Sequence, residues 1–186
     1  LFEKLAQVCF REQKPDDAIK YDTEAINRYD KINESVYSAR CYVHLASVKG
    51  AQKQFTEAEY LILKRALPLY RSASFVPGRI GCFNVLGHIY HEQKRYSEAK
   101  WFFIQANMLG RTLADTLAIT ESLINLGLVK VDIKDYKLAL KDYKEAEALS
   151  KKRHLAVQLS EVNKALAQLY NKTGNKNAAA VRLNTY

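Results

Sequence analysis

A small residue returns at positions 6, 46, 87, 127 and 167, each time directly after a leucine, at intervals of 40, 41, 40 and 40 residues. A chain that repeats itself in register is built from one supersecondary unit used again and again. A unit of this length cannot bury its own apolar face, so successive units must stack on one another.

The physics of one unit follows from its spacings. In Phe83, Leu86, Gly87 and Tyr90 the apolar residues recur at three and four, the period of an amphipathic helix. Nine residues after the small one comes Tyr96 or Tyr136, with Lys176 in the last unit. Three further on lies Ala99, Ala139 or Ala179, then Phe103, Tyr143 or Leu183, and finally Ala106, Ala146 or Tyr186. These positions mark a second helix whose alanines admit a close neighbour. The template reaches back, more worn, through Leu45, Ala46, Phe55, Ala58 and Ile62, and then through Leu5, Ala6, Cys9, Ala18 and Ala25. Polar stretches such as His91 to Arg95 and Asp132 to Asp135 separate the two helices of a unit. Lys14-Pro15-Asp16-Asp17 reads as a helix start, where proline loses no hydrogen bond and acids meet the positive dipole end.

Leu86, Gly87, Tyr90, Tyr96, Ala99, Phe103 and Ala106 closely resemble the signature of the tetratricopeptide repeat family, and the resemblance runs through essentially the whole chain. It implies an all-α fold, an α-solenoid forming a right-handed superhelix of about five helical hairpins. The expected units are 1–32, 33–73, 78–112, 113–153 and 154–186, in one repeat domain read as a fragment of a longer chain. The family period is usually 34 residues, so the longer period here needs extra helix. Helices from Thr112 to Val131 and from Tyr136 to Arg153 are expected to absorb it. Ser74-Phe75-Val76-Pro77-Gly78 reads as the distinctive loop, where stacking would change. Lengthened repeats of this kind are similar to those of bacterial regulators and sensor kinases and of kinesin light chains.

Composition narrows the function. With 7 Gly and 3 Pro, collagen-like, low-complexity and turn-rich β classes are excluded. The longest uncharged stretch, Ile80 to His91, is too short to span a bilayer. The net charge is +9, and residues 151–186 hold seven basic residues against Glu161 alone. Lys151, Lys152, Arg153, Lys172, Lys176 and Arg182 thus form a basic patch suited to an acidic surface or a polyanion. Cys9, Cys41 and Cys82 fit neither a disulfide framework nor a zinc pattern. As small core residues they point to a reducing compartment such as the cytoplasm.

No enzyme is legible. His88 and His91 lack the order and third ligand of a zinc site, Asp16-Asp17 is a helix start, and the glycines form no phosphate loop. No cofactor or metal is expected. The resemblance instead implies that the first helix of each hairpin lines a concave groove for a peptide or protein segment. Carried over, the groove residues are Arg40, His44, Asn84, His88, His91, Asn125, Lys164, Gln168 and Asn171, with Ser47, Glu92, Glu121, Leu128, Asp132 and Lys172 beside them. Amide side chains both donate and accept, which suits them to a peptide main chain of any sequence. The family's carboxylate clamp is not reproduced, since Val43 and Ser47, then Asn84 and His88, stand where its Lys–Asn pairs would fall. The expected function is a non-catalytic scaffold or regulatory module, such as the repeat region of a bacterial signalling protein. The alternative is polyanion or nucleic-acid binding at the basic end. The final unit, stopping at Tyr186 within its second helix, leaves an uncapped surface expected to self-associate.

Overall fold

The computed structural model describes residues 1–184, the last by its backbone alone, and every regular element among them is helical. Tyr186, the closing position of the fifth unit, lies outside the described residues. The elements are α1 (Phe2–Arg11), α2 (Pro15–Lys31), α3 (Ser35–Ala51), α4 (Phe55–Tyr60), a π-helical turn (Leu61–Ala66) and α5 (Leu67–Ser72). After them come α6 (Val76–Glu92), α7 (Tyr96–Thr112), α8 (Thr116–Asp132), α9 (Tyr136–Lys152), α10 (Ala156–Lys172) and α11 (Lys176–Asn184).

The long period has a simple origin. Helices α2, α3 and α6 to α10 are each 17 residues long. Three-residue turns join them, so two helices and two turns make one period. Each turn carries its second residue in the left-handed region. These residues are Gln13, Asn33, Lys53, Ser74, Lys94, Ala114, Lys134, His154 and Gly174, and only the last is a glycine. The third turn residue then donates its amide to the carbonyl five residues back. Lys14 reaches Cys9, Gln54 reaches Lys49, Asp115 reaches Gly110 and Asn175 reaches Tyr170, each at 2.9 Å. This is the Schellman closure, which satisfies carbonyls that a helix end leaves orphaned. Asp115, Asp135 and Asn175 also cap the helix that follows, accepting from the amides of Ala118, Leu138 and Ala178.

Two expectations give way here. No helix runs from Thr112 to Val131, because Ala114 at φ 51° breaks the chain and Asp115 starts α8 afresh. Nor is Ser74 to Gly78 a distinctive loop. The turn is only 73–75, and Val76, Pro77 and Gly78 already form the first turn of α6, with the proline where its missing N–H costs nothing. The irregularity sits one helix earlier. Ala58 and Ala66 are eight residues apart, whereas Ala99 and Ala106, like Ala139 and Ala146, are seven apart. The π-helical turn between Leu61 and Ala66 takes up the added residue, so Ile62, Ala66, Leu67 and Tyr70 all stay buried. It also accounts for the single interval of 41.

The chain divides into two compact units, 1–93 and 94–186. In the first, α2 packs between α1 and α3, while α3 packs against α4, the π-turn, α5 and α6. Ala18, Ala39, Ala46 and Ala58 are wholly buried there, as are Cys41, Ile62, Cys82 and Leu86. Cys9, by contrast, is half-buried. Tyr90 and Gln93 both donate to the Glu59 carboxylate, at 3.1 and 3.0 Å, tying α6 to α4. In the second unit, α8 packs on α7, α9 and α10, and α10 on α9 and α11. Its core holds Leu123, Ala139, Tyr143, Ala146, Val162, Leu166 and Leu169. Each fully buried Leu or Val contributes about 1.5–3 kcal/mol over leaving it exposed.

Candidate functional site

The first helices of the hairpins are α1, α3, α6, α8 and α10, and neighbours of this set pack directly within each unit. In the first unit α1 contacts α3, and α3 contacts α6. Two of the sequence-predicted groove residues are spent on that packing. Arg40 donates to Glu3 on α1 at 2.8 Å and lies over the Tyr37 ring. His44 places Nδ1 2.6 Å from Oδ2 of Asp22, and Phe10 meets its ring edge-on.

Asp22 itself is fully buried, and its Oδ1 has no hydrogen-bond partner. Burial pushes its carboxyl above the usual range, against the pull of the His44 hydrogen bond. The residue occupies the slot that Ile62, Phe103 and Tyr143 fill in later units, four residues after the alanine. A polar residue in that slot was the sequence signal for this pair.

The middle of α6 is different. Asn84 is half-buried, and its Oδ1 is shut off from water with no partner. One turn later His88 reaches solvent from within a recess. Desolvation, followed by the charge of His91, holds its pKa below the ordinary value. The recess is a cleft of about 330 Å³ between the C-terminal halves of α3 and α6. Ser47, Gly50, Ala51, Lys53 and Phe55 line one side, with Val85, His88, Ile89 and Glu92 on the other. Sequence reasoning named Ser47, His88 and Glu92 but missed the apolar walls, because Val85 and Ile89 read only as packing residues.

In the second unit, Asn125 is half-buried on α8, and Lys164, Gln168 and Asn171 are exposed along one stripe of α10. Lys172 of α10 reaches Asp132 of α8 at 3.2 Å, joining two predicted groove residues that are 40 apart in sequence. Glu121 has its carboxyl raised by burial and then by Glu161 and Asp115.

The predicted basic patch is largely neutralised. Arg182 donates to Oε1 of Glu147 at 2.7 Å and to Oδ1 of Asn163 at 3.2 Å, while Lys151 reaches the same Glu147 at 2.6 Å. Burial opposes ionisation of Glu147, but these two cations outweigh it and hold the carboxyl below its usual range. With Lys172 also paired, only Lys152, Arg153 and Lys176 stand as exposed cations of the predicted set. Pairing with acids elsewhere in the unit removes the charge surplus that the local sequence displays.

The described residues show no group of three His, Cys, Asp or Glu that could hold a metal ion, and no helix long and apolar enough to cross a membrane. Burial drives the Cys41 and Cys82 thiols up to about 12, far from a reactive thiolate.

Sequence models of the tetratricopeptide repeat match residues 1–72 and, in a second form, residues 80–109 and 120–153. The chain belongs to the tetratricopeptide repeat family. The 17-residue helices and left-handed turns are thus this chain's version of the tetratricopeptide hairpin. A comparison with curated protein sequences finds no match. Among solved structures, a Rap protein complexed with competence and sporulation factor is similar at TM-score 0.86 and 19% identity, over 99% of this chain and 51% of that one. Aspartyl phosphate phosphatase F from Bacillus subtilis gives 0.83 and 16%, over 97% and 47%. A kinesin light chain-like repeat protein from Podosopora anserina gives 0.74 and 16%, over 99% and 90%. The chain spans about half the length of the two bacterial structures. At such identities the likeness speaks for the helical-repeat fold.

Proposed function

We propose that this tetratricopeptide repeat chain is a non-catalytic interaction module that holds a peptide or protein segment along the face of its first helices. The observation that carries the reading is the Oδ1 of Asn84, a buried acceptor with no partner on that face. Leaving a buried acceptor unmade costs about 1–3 kcal/mol, so such a group is retained where a ligand supplies the donor. Asn125, Gln168 and Asn171 offer the same chemistry on α8 and α10. The Rap protein solved with competence and sporulation factor supports a regulatory role of this kind. A non-catalytic reading is supported by the buried acids, which are committed to His44, Lys130 and Arg182.

The test is affinity capture from the source organism's lysate with the wild type beside an Asn84→Ala/Asn125→Ala/Gln168→Ala variant. The wild type should retain a protein that the variant, equally folded by circular dichroism, releases. Equal retention by both would remove these amides from the binding face.

A further inference from the structure

We infer that the cleft between α3 and α6 is an anchor site for one large apolar side chain of an extended peptide segment, whose main-chain N–H is received by Asn84. This rests on the proposed function and names the chemistry of its ligand in the first unit.

Three observations converge. The cleft is largely apolar, with Val85 and Ile89 facing Gly50, Ala51 and Phe55 across about 330 Å³. That lies within the range in which small-molecule and side-chain sites are found, about 300–1,000 Å³. Gly50 keeps one wall low, since a β-carbon there would stand 3.5 Å from Cγ1 of Ile89. The second observation is the rim. Lys53 and Glu92 carry opposite charges and His88 is held toward its neutral form, so the opening offers no net field to a charged anchor. An uncharged side chain is the complementary one.

The third is register. Asn84 and His88 lie one turn apart on the same face of α6, a rise of about 6 Å. An extended chain advances about 6.6 Å in two residues before presenting the same face again. A segment running along α6 therefore brings a main-chain N–H to Asn84 Oδ1 and, two residues on, a side chain over the cleft. The orphaned acceptor gains its donor, and the apolar walls lose their water.

A random dodecapeptide library displayed on phage, selected against the full chain, tests this. Selected sequences should share a Leu, Ile, Met, Phe or Trp at one position, and synthetic peptides with that residue changed to Ala should bind at least tenfold more weakly. Ser47→Phe, which fills the cleft, should cost a similar factor, and Asn84→Ala a smaller one of three- to tenfold. Should Ser47→Phe disturb folding, as judged by circular dichroism, Gly50→Ala narrows the same cleft within ordinary contact distance and should weaken binding in the same direction. Peptides that bind without an apolar preference, or whose affinity ignores both cleft variants, overturn the anchor site while leaving the binding module intact. Peptides lost only on changing Asn125 or Gln168 do the same. Selection that enriches nothing overturns the anchor site and the peptide-binding reading together.

Discussion

The ring of Tyr143 on α9 occupies the space a β-carbon on residue 127 of α8 would need. Such a carbon would lie 2.2 Å from Cε1 of Tyr143, and Gly127 is what lets the two helices of this hairpin close. The Leu-Gly pair of the repeat is thus a contact between helices, set by the ring that follows 16 residues later. Gly127→Ala should destabilise the chain by about 1–3 kcal/mol, the usual cost of overpacking a filled core. Adding Tyr143→Leu, which withdraws the ring, should recover part of that loss. Urea midpoints of the single and double variants check it. A Gly127→Ala midpoint equal to the wild type would mean the helices separate without cost.

The nine left-handed turn residues make a second case. Ala114 sits at φ 51° with no polar group to compensate, while Gly174 at φ +82° sits where nothing crowds it. A left-handed conformation costs an L-residue about 1–2 kcal/mol, against roughly 0.5–1 kcal/mol of extra chain entropy for glycine. Ala114→Gly should therefore raise stability by a few tenths to about 1 kcal/mol, and Gly174→Ala should lower it by a similar amount. Thermal unfolding of the two variants must move in opposite directions for the argument to stand.

The π-helical turn gives a third. If it absorbs one inserted residue, removing Lys64 restores the seven-residue spacing of Ala58 and Ala66 and lets 55–72 wind as plain α-helix. That deletion should leave the melting temperature close to wild type. Deleting Gln105, which stands between Phe103 and Ala106 in the regular helix α7, should instead rotate its buried residues by about 100° and unfold the repeat. Equal damage from both deletions would show that the extra residue is not an insertion.

Much of the architecture was legible because it is written in spacing. The leucine–small pairs located α1, α3, α6, α8 and α10, and the alanines at seven located their partners. The interval of 41 announced an irregularity, but proline and glycine at 77 and 78 drew attention to the wrong side of the helix boundary. Left-handed turns at lysine, serine and alanine left no composition signal, so Thr112 to Val131 read as unbroken. The site was less legible. His44 and Arg40 stand at groove positions by register, yet each turns to a carboxylate, Asp22 or Glu3, supplied by another helix. The basic end failed for the same reason, since Glu147 is 35 residues from the Arg182 that neutralises it. Charge partners chosen across helices cannot be read from local counts.

The Asp22–His44 pair allows the sharpest test, because the same slot is apolar in the other units. Removing one partner of a buried pair strands the other, at a cost of about 3–5 kcal/mol, whereas replacing both by apolar residues is commonly neutral or stabilising. His44→Leu alone should therefore lower stability severely. Asp22→Ile with His44→Leu should match or exceed the wild type. The sign with pH follows from the carboxyl being raised in the folded state. Between the ordinary carboxylate pKa and that raised value, the folded chain holds a proton the unfolded chain has released, so this group's contribution to stability falls as pH rises through the window. Above the window, the ionised, buried carboxylate is a constant penalty that His44 only partly offsets. Chemical denaturation from pH 4 to 7 should show that slope in the wild type, and a shallower one in the double variant. A double variant weaker than His44→Leu would show that the pair is needed for packing and that its charge is incidental.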